Sequence, residues 1–408
     1  MDESPNEQQI PHLRKDLSVR EIEQDGERLV LLTDPLGIAP NGFAIPLQLY
    51  ETIKIFDRGI TFSEISDIVR QQTGQPADMS SLLGLVLYLD DIALLDSPRF
   101  RAARREIEEY VASPVRPPIC AGNTYGATPE SLAAQLDELM SHAPASDKNQ
   151  ARALIAPHID FRVGDNALET YAAAYRAIEA TDADLFVIFG TSHHKMSDWF
   201  MLSRKDYATP AGALETDQEL IDEMAGALGD DLTIDEMAHR DEHSIELQAA
   251  LIRHVFPNKE IKILPVLVGG FYPQIHQGNS PGNDPRFVEF IENLGGAIDK
   301  LGRRPLYIAS GDFGHIGRKF EDDYDAESKL DELREADFEM IDLLNACDAE
   351  GFFARVQREG DPWKICGAAP FYALLRIAGP ERGELLRYAQ WNERETLSAV
   401  SFASIAYY

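Results

Sequence analysis

The sequence predicts an α/β protein, with a mainly parallel or mixed central sheet flanked by helices and a small α+β unit in front of it. Apolar runs recur at residues 153–156, 185–189, 261–268 and 306–309, as expected of strands buried on both faces. Amphipathic stretches of helical spacing separate them, at 165–180, 216–227, 244–255 and 285–301. Strand–helix alternation of this kind folds as a sheet with crossover helices. A third observation sets the boundary. A basic segment after Pro98 leads into Ser113-Pro114-Val115-Arg116-Pro117-Pro118, which reads as a connector and divides 1–113 from 114–408.

In the first part, Leu29-Val30-Leu31-Leu32 reads as a strand and Asp34-Pro35-Leu36-Gly37 as its turn. A helix starts at Phe62 with Ser63 as its expected cap and stops at Gly74; another covers about 79–90. Residues 92–96 read as a short strand. Two helices followed by a strand are similar to a winged-helix module, with a generic α+β appendage as the alternative. In the second part, helices continue over 326–344, and 397–408 alternates as a strand.

With 408 residues, 44% apolar and 26% charged, the chain has the composition of an ordinary globular protein and room for two or three domains. No apolar run reaches the length of a membrane span. Met1-Asp2-Glu3-Ser4-Pro5 lacks the basic and apolar parts of a signal peptide, so a cytoplasmic location is expected. The net charge of −31, from 38 basic and 69 acidic side chains, repels phosphate backbones and anionic membranes. Neither nucleic acid nor a membrane is an expected partner; a small molecule or a peptide is. Cys120, Cys347 and Cys366 are too few and too scattered for a disulfide framework.

Ligands of open α/β sheets bind beyond the carboxyl ends of the strands. Three predicted strands run into Pro157-His158-Ile159-Asp160, Gly190-Thr191-Ser192-His193-His194 and Ser310-Gly311-Asp312-Phe313-Gly314-His315. Each delivers a histidine, and imidazoles grouped with an acid or thiolate suit Fe, Cu or Zn. A single such histidine would read as structural. Either ring of the His193-His194 pair could face the site. Asp312 and His315, three apart, can share a face, where the carboxylate would orient the imidazole or tune its proton affinity.

His239-Arg240-Asp241-Glu242-His243 has the form of an inverted zinc-peptidase signature. That chemistry needs both imidazoles on one helix, and helical periodicity begins only after His243. Glu242 and His243 remain site candidates at the mouth of that helix. Cys366 precedes a helix beginning near Ala369, where the helix dipole is expected to lower its pKa and favour a metal-binding thiolate. Cys347 has no such context.

Seven stretches in order resemble the Memo family, also called AmmeMemoRadiSam system protein B. They are Ala121-Gly122-Asn123-Thr124-Tyr125, Ala156-Pro157-His158, Gly190-Thr191-Ser192-His193-His194, Thr209-Pro210-Ala211-Gly212, Glu242-His243-Ser244-Ile245-Glu246, the 310–315 segment and Ile365-Cys366-Gly367. The resemblance spans about 115–408 and implies a fold like that of class III extradiol dioxygenases, non-haem iron enzymes that cleave catechols. It implies His158, His193 and Cys366 as ligands of an Fe(II) or Cu ion, with zinc as the alternative. It also implies His315 as the acid/base, Asp312 beside it and His243 lining the pocket. For some members it implies a scaffold or phosphopeptide-binding role. Two stretches depart from the family pattern. Ile159-Asp160-Phe161 stands where Ala-Gly-Tyr is usual, and Cys120-Ala121-Gly122-Asn123-Thr124-Tyr125 where His-Ala-Gly-Ser-Trp-Tyr is usual.

The expected function is therefore a metal-dependent redox enzyme, dioxygenase-like. The alternatives are a non-catalytic peptide- or partner-binding protein using the same cleft, and a zinc hydrolase.

Overall fold

The computed structural model describes residues 8–24, 26–40, 42–144, 151–194, 196, 198–358 and 360–408, with only the backbone at 72, 73, 230 and 231. The chain divides into two compact units, Met1–Ala112 and Ser113–Tyr408.

In the first unit, β1 (Ser18–Gln24), β2 (Glu27–Thr33) and β3 (Phe43–Pro46) form an antiparallel sheet in that order. Val30 and Leu32 of β2 point into a core with Ile45, Phe56 and Leu89. Helices Leu47–Ile53, Phe62–Thr73, Met79–Asp91 and Pro98–Ala112 follow. The second of these is capped by Thr61 rather than Ser63. Its hydroxyl accepts the Glu64 N–H, while the Glu64 carboxylate accepts the Thr61 N–H at 2.8 Å, a reciprocal capping box. Residues 92–96 form no strand. Ala93 turns left-handed at φ 54°, which breaks the extended run, and Leu95 makes one isolated bridge to Leu13.

The second unit contains β4 (Val115–Arg116), β5 (Ala153–Ala156), β6 (Leu185–Thr191), β7 (Phe200–Leu202), β8 (Asp206–Tyr207) and β9 (Glu215–Thr216). After these come β10 (Lys262–Val268), β11 (Pro305–Ser310), β12 (His315–Gly317), β13 (Gly383–Glu393) and β14 (Ser398–Tyr407). The main sheet runs β12-β14-β5-β11-β6-β10-β7, with β13 on β14 and β9 on β10. Its centre, β5-β11-β6-β10, is parallel, and β14, β12, β13 and β7 join antiparallel, so the sheet is mixed. Successive strand residues enter opposite cores. Leu154, Phe186, Ile188 and Ile308 pack on one face; Ile155, Val187, Phe189 and Ala309 pack on the other. The helices expected at 244–255 and 285–301 are Ser244–Val255 and Pro285–Leu301, and the helix after Cys366 is Ala368–Ala378. Among the described residues, no helix is long and apolar enough to cross a membrane.

Candidate metal centre

Register places the site. Ser310, the last residue of β11, pairs with Ala156 of β5 on one side and Gly190 of β6 on the other. The three strands therefore end nearly flush, and His158, Asp312 and His193 leave the same edge. Two glycines bring the remaining elements in. A Cβ on Gly190 would lie 2.6 Å from Ile245 Cγ1 and from Ser244 Oγ, so only glycine lets helix Ser244–Val255 start against β6. Ser244 Oγ then donates to the Thr191 carbonyl at 2.9 Å, which puts Glu242 and His243 beside His193. A Cβ on Gly311 would lie 2.4 Å from Gly367 Cα. That close approach brings Cys366 over the strand ends, where Thr191 Oγ1 donates to its carbonyl at 3.0 Å.

Three imidazole rings meet there. His158, His193 and His243 have centroids 5.0–5.2 Å apart in every pairing. Beneath them Glu242 is buried. Its carboxylate accepts the His193 backbone N–H at 2.8 Å, His193 Nδ1 at 3.0 Å and the Ser244 N–H at 2.9 Å, and it lies 3.3 Å from His243 Nδ1. Cys366 Sγ is 3.2 Å from His158 Nε2 and accepts the Asp312 N–H at 3.2 Å. Asp312 Oδ1 accepts the His158 N–H at 3.0 Å, and its Oδ2 is 3.7 Å from His158 Nε2.

Among the described residues, two groups have donor atoms all within 4.8 Å of one another: His158, His193 and His243, and His158, Asp312 and Cys366. His158 is common to both. The expected ligands His158, His193 and Cys366 are thus divided between them, while His243 and Asp312, expected beside the ligands, lie at ligand distance. His315 is in neither group but lines the same cavity of about 490 Å³. Its Nδ1 donates to the Phe313 and Lys364 carbonyls at 3.0 and 3.2 Å. Carbonyls only accept, so Nδ1 carries the hydrogen and Nε2 keeps its lone pair. His194 lines a different depression, with Asp198 and Trp199. His239 is fully buried, its ring bonded to Tyr207 Oη at 2.7 Å and the Met201 carbonyl at 3.0 Å, in a separate helix, Glu236–Arg240. The two histidines of the peptidase-like signature therefore share no face. Glu246 is structural as well, paired with buried Arg116 and accepting the Cys120 N–H at 2.8 Å.

Burial and the neighbouring His243 and His193 hold His158 well below its usual pKa, so its ring is neutral. Burial works against a charged His193, but Glu242 outweighs it and raises that ring. Glu242 itself, despite burial, is held well below the carboxylate range by the two imidazoles. Burial lifts Asp312 to about 7 and lowers His315 to about 4. Cys366 differs from expectation. Burial and then the Asp312 carboxylate push its thiol well above the ordinary value, against hydrogen bonds from the Asp312 N–H and Thr191.

The donor set fits a transition-metal ion. Imidazoles, a thiol and a carboxylate converge from five chain segments, a buried carboxylate fixes two rings through Nδ1, and among the described residues His158 Nδ1 is buried without a hydrogen-bond partner. Sequence reasoning missed the cavity walls: Lys319 and Phe320 come from a segment without a local signal, and Val400 from a strand whose alternation does not tell that it reaches the cavity.

The comparisons agree with this architecture. A family profile described as "Memo-like protein" matches residues 116–406. A MEMO1 family protein of Aquifex aeolicus is 28% identical over 95% of this chain and 98% of its own length, so the match takes in most of the first unit. One from Methanosarcina barkeri is 27% identical over 68% of this chain and 94% of its own length. The memo-1 homolog of Caenorhabditis elegans is 29% identical over 70% of this chain and 80% of its own. A profile that covers most of the chain leaves one conclusion: the chain belongs to the Memo-like protein family.

Proposed function

We propose that this protein is a cytoplasmic, metal-dependent redox enzyme acting on a small molecule or peptide at the 490 Å³ cavity. His158, His193 and Cys366 would hold an Fe(II) or Cu ion, with His243 and Asp312 within reach. Such an ion supplies Lewis acidity and one-electron chemistry. The chain's own residues supply the rest. Glu242 fixes His193 and His243 with their Nε2 atoms free. His315, neutral at physiological pH with a free Nε2 beside the donor groups, takes up or returns a proton. Asp312, near 7, exchanges a proton in the same range. Ile159, Phe320 and Val400 exclude water from one side of the cavity.

The observation that carries the reading is His315, since a purely structural metal site has no use for a separate neutral imidazole, held by its Nδ1, beside its ligands. Oxygen consumption by metal-loaded protein with ascorbate as reductant tests it. Uptake with iron or copper above that with zinc, lost in His315→Ala, is expected. Equal, negligible uptake with all three ions overturns the redox reading and leaves the zinc hydrolase. A second reading, a partner-binding protein, is favoured by helix Met79–Asp91, which exposes Leu83, Leu87 and Tyr88.

A further inference from the structure

The cavity has a charged wall that this chemistry leaves unused. Lys319 and Lys364 both line it, in a chain where acidic side chains outnumber basic ones by 69 to 38. They come from separate elements: Lys319 from the turn Arg318–Phe320 that follows β12, Lys364 from the loop leading to Cys366. Each ammonium has three donors. Lys319 spends one on Glu393 at 3.1 Å and Lys364 one on Asp322 at 2.7 Å, and neither carboxylate lines the cavity. Their side chains stay 49% and 39% exposed, leaving donors for a ligand.

Asp160 also lines the cavity, but its charge is already answered. Arg162 donates to it from Nη2 at 2.6 Å and from Nε at 3.0 Å, and Thr124 Oγ1 at 3.1 Å. Lys364 and Lys319 are thus the two ammonium groups of a lining whose other acid, Asp312, lies against His158. Lys364 holds this place at φ 53°, a left-handed conformation that glycine or asparagine adopts more readily. Its carbonyl meanwhile accepts from His315 Nδ1, so one residue both orients the proton carrier and presents an ammonium to the cavity. Ile159, Phe320 and Val400 complete the wall with apolar surface, in a volume that suits a small organic molecule.

We propose that the site takes a small apolar molecule of aromatic size bearing one anionic group, a carboxylate or a phosphate monoester. Lys364 and Lys319 bind the anion, and the apolar body lies against Ile159, Phe320 and Val400. This rests on the reading of the cavity as the substrate site of a metal centre.

Ligand-observed NMR titrations of the full-length, metal-analysed protein test it, with benzoate, phenyl phosphate, benzyl alcohol and benzylamine as probes. Benzoate or phenyl phosphate should bind about tenfold more tightly than benzyl alcohol, and benzylamine more weakly than either anion. The tighter of the two anions identifies the group. Lys364→Gln and, separately, Lys319→Gln should each remove most of that advantage while leaving benzyl alcohol binding and metal content unchanged. The inference is overturned if the anions bind no better than benzyl alcohol, or if both variants bind them as wild type does. Loss of metal content in wild type with retained, lysine-dependent benzoate binding would instead sink the metal-centre reading alone.

Discussion

Glu242 holds His193 at two points: its carboxylate accepts the backbone N–H at 2.8 Å and the ring Nδ1 at 3.0 Å. The same carboxylate lies 3.3 Å from His243 Nδ1. One buried charge thus ties the loop after β6 to the start of helix Ser244–Val255 and turns both Nε2 atoms toward the cavity. Carboxylates that orient metal-binding imidazoles in this way typically change metal affinity 10–100-fold on mutation. Glu242→Gln, which keeps the shape and removes the charge, should therefore weaken metal binding by about 10–100-fold with the circular dichroism spectrum unchanged. Wild-type affinity in this variant would show that the carboxylate only supports the fold.

Gly311 faces Gly367 so closely that a Cβ would sit 2.4 Å from the opposing Cα. Backbone cannot move aside as a flexible side-chain end can. Gly311→Ala should cost about 1–3 kcal/mol through overpacking and push the Cys366 loop off the strand ends. A lowered Tm together with reduced metal content is expected; an unchanged melting curve contradicts the close approach.

Arg116 and Glu246 are an ion pair with both side chains fully buried. Arg116 also donates to the His239 and Glu242 carbonyls, each at 2.7 Å, and Glu246 accepts from the Ile119 and Cys120 N–H groups at 3.0 and 2.8 Å. Removing one partner of a buried pair strands the other charge, at about 3–5 kcal/mol. Arg116→Met should lower the denaturant midpoint accordingly, and a midpoint within error of wild type would count against the network.

Asp337, buried under β14, is raised to about 7 by burial, against hydrogen bonds from Ser401 and Tyr388. Its folded pKa exceeds the unfolded value of 3.8. The stabilisation from the protonated form is therefore full below the unfolded pKa and is lost as pH rises through the folded one. Three units correspond to about 4 kcal/mol at most. Asp337→Asn should stabilise the protein more at pH 8 than at pH 5, measured as the difference in Tm from wild type. An equal difference at both pH values contradicts the assignment.

The strand-end histidines were legible because parallel strands buried on both faces read as apolar runs, and their carboxyl ends share one edge. His158 and the His193-His194 pair follow from that alone, but not which ring of the pair faces the site. Position without orientation limited the rest. Glu242 and His243 stood out at a helix mouth, but that the carboxylate lies beneath two rings depends on Gly190, whose missing Cβ carries no periodic signal. At Cys366 the helix that follows is real, yet burial beside Asp312, which no local pattern marks, raises the thiol. β13 escaped because it is half-covered along nearly its whole length and has a register shift between Leu385 and Arg387, so no alternation marks it. Lys319 and Phe320 reach the cavity only through the pairing of β12 with β14.

The central claim is that these strand ends hold a redox-capable ion through His158, His193 and Cys366. Elemental analysis of anaerobically purified wild type, His193→Ala and Cys366→Ser tests it most directly. The account predicts about one iron or copper ion per wild-type chain and a marked loss in both variants. Equal metal in all three proteins, or none in any, would contradict it.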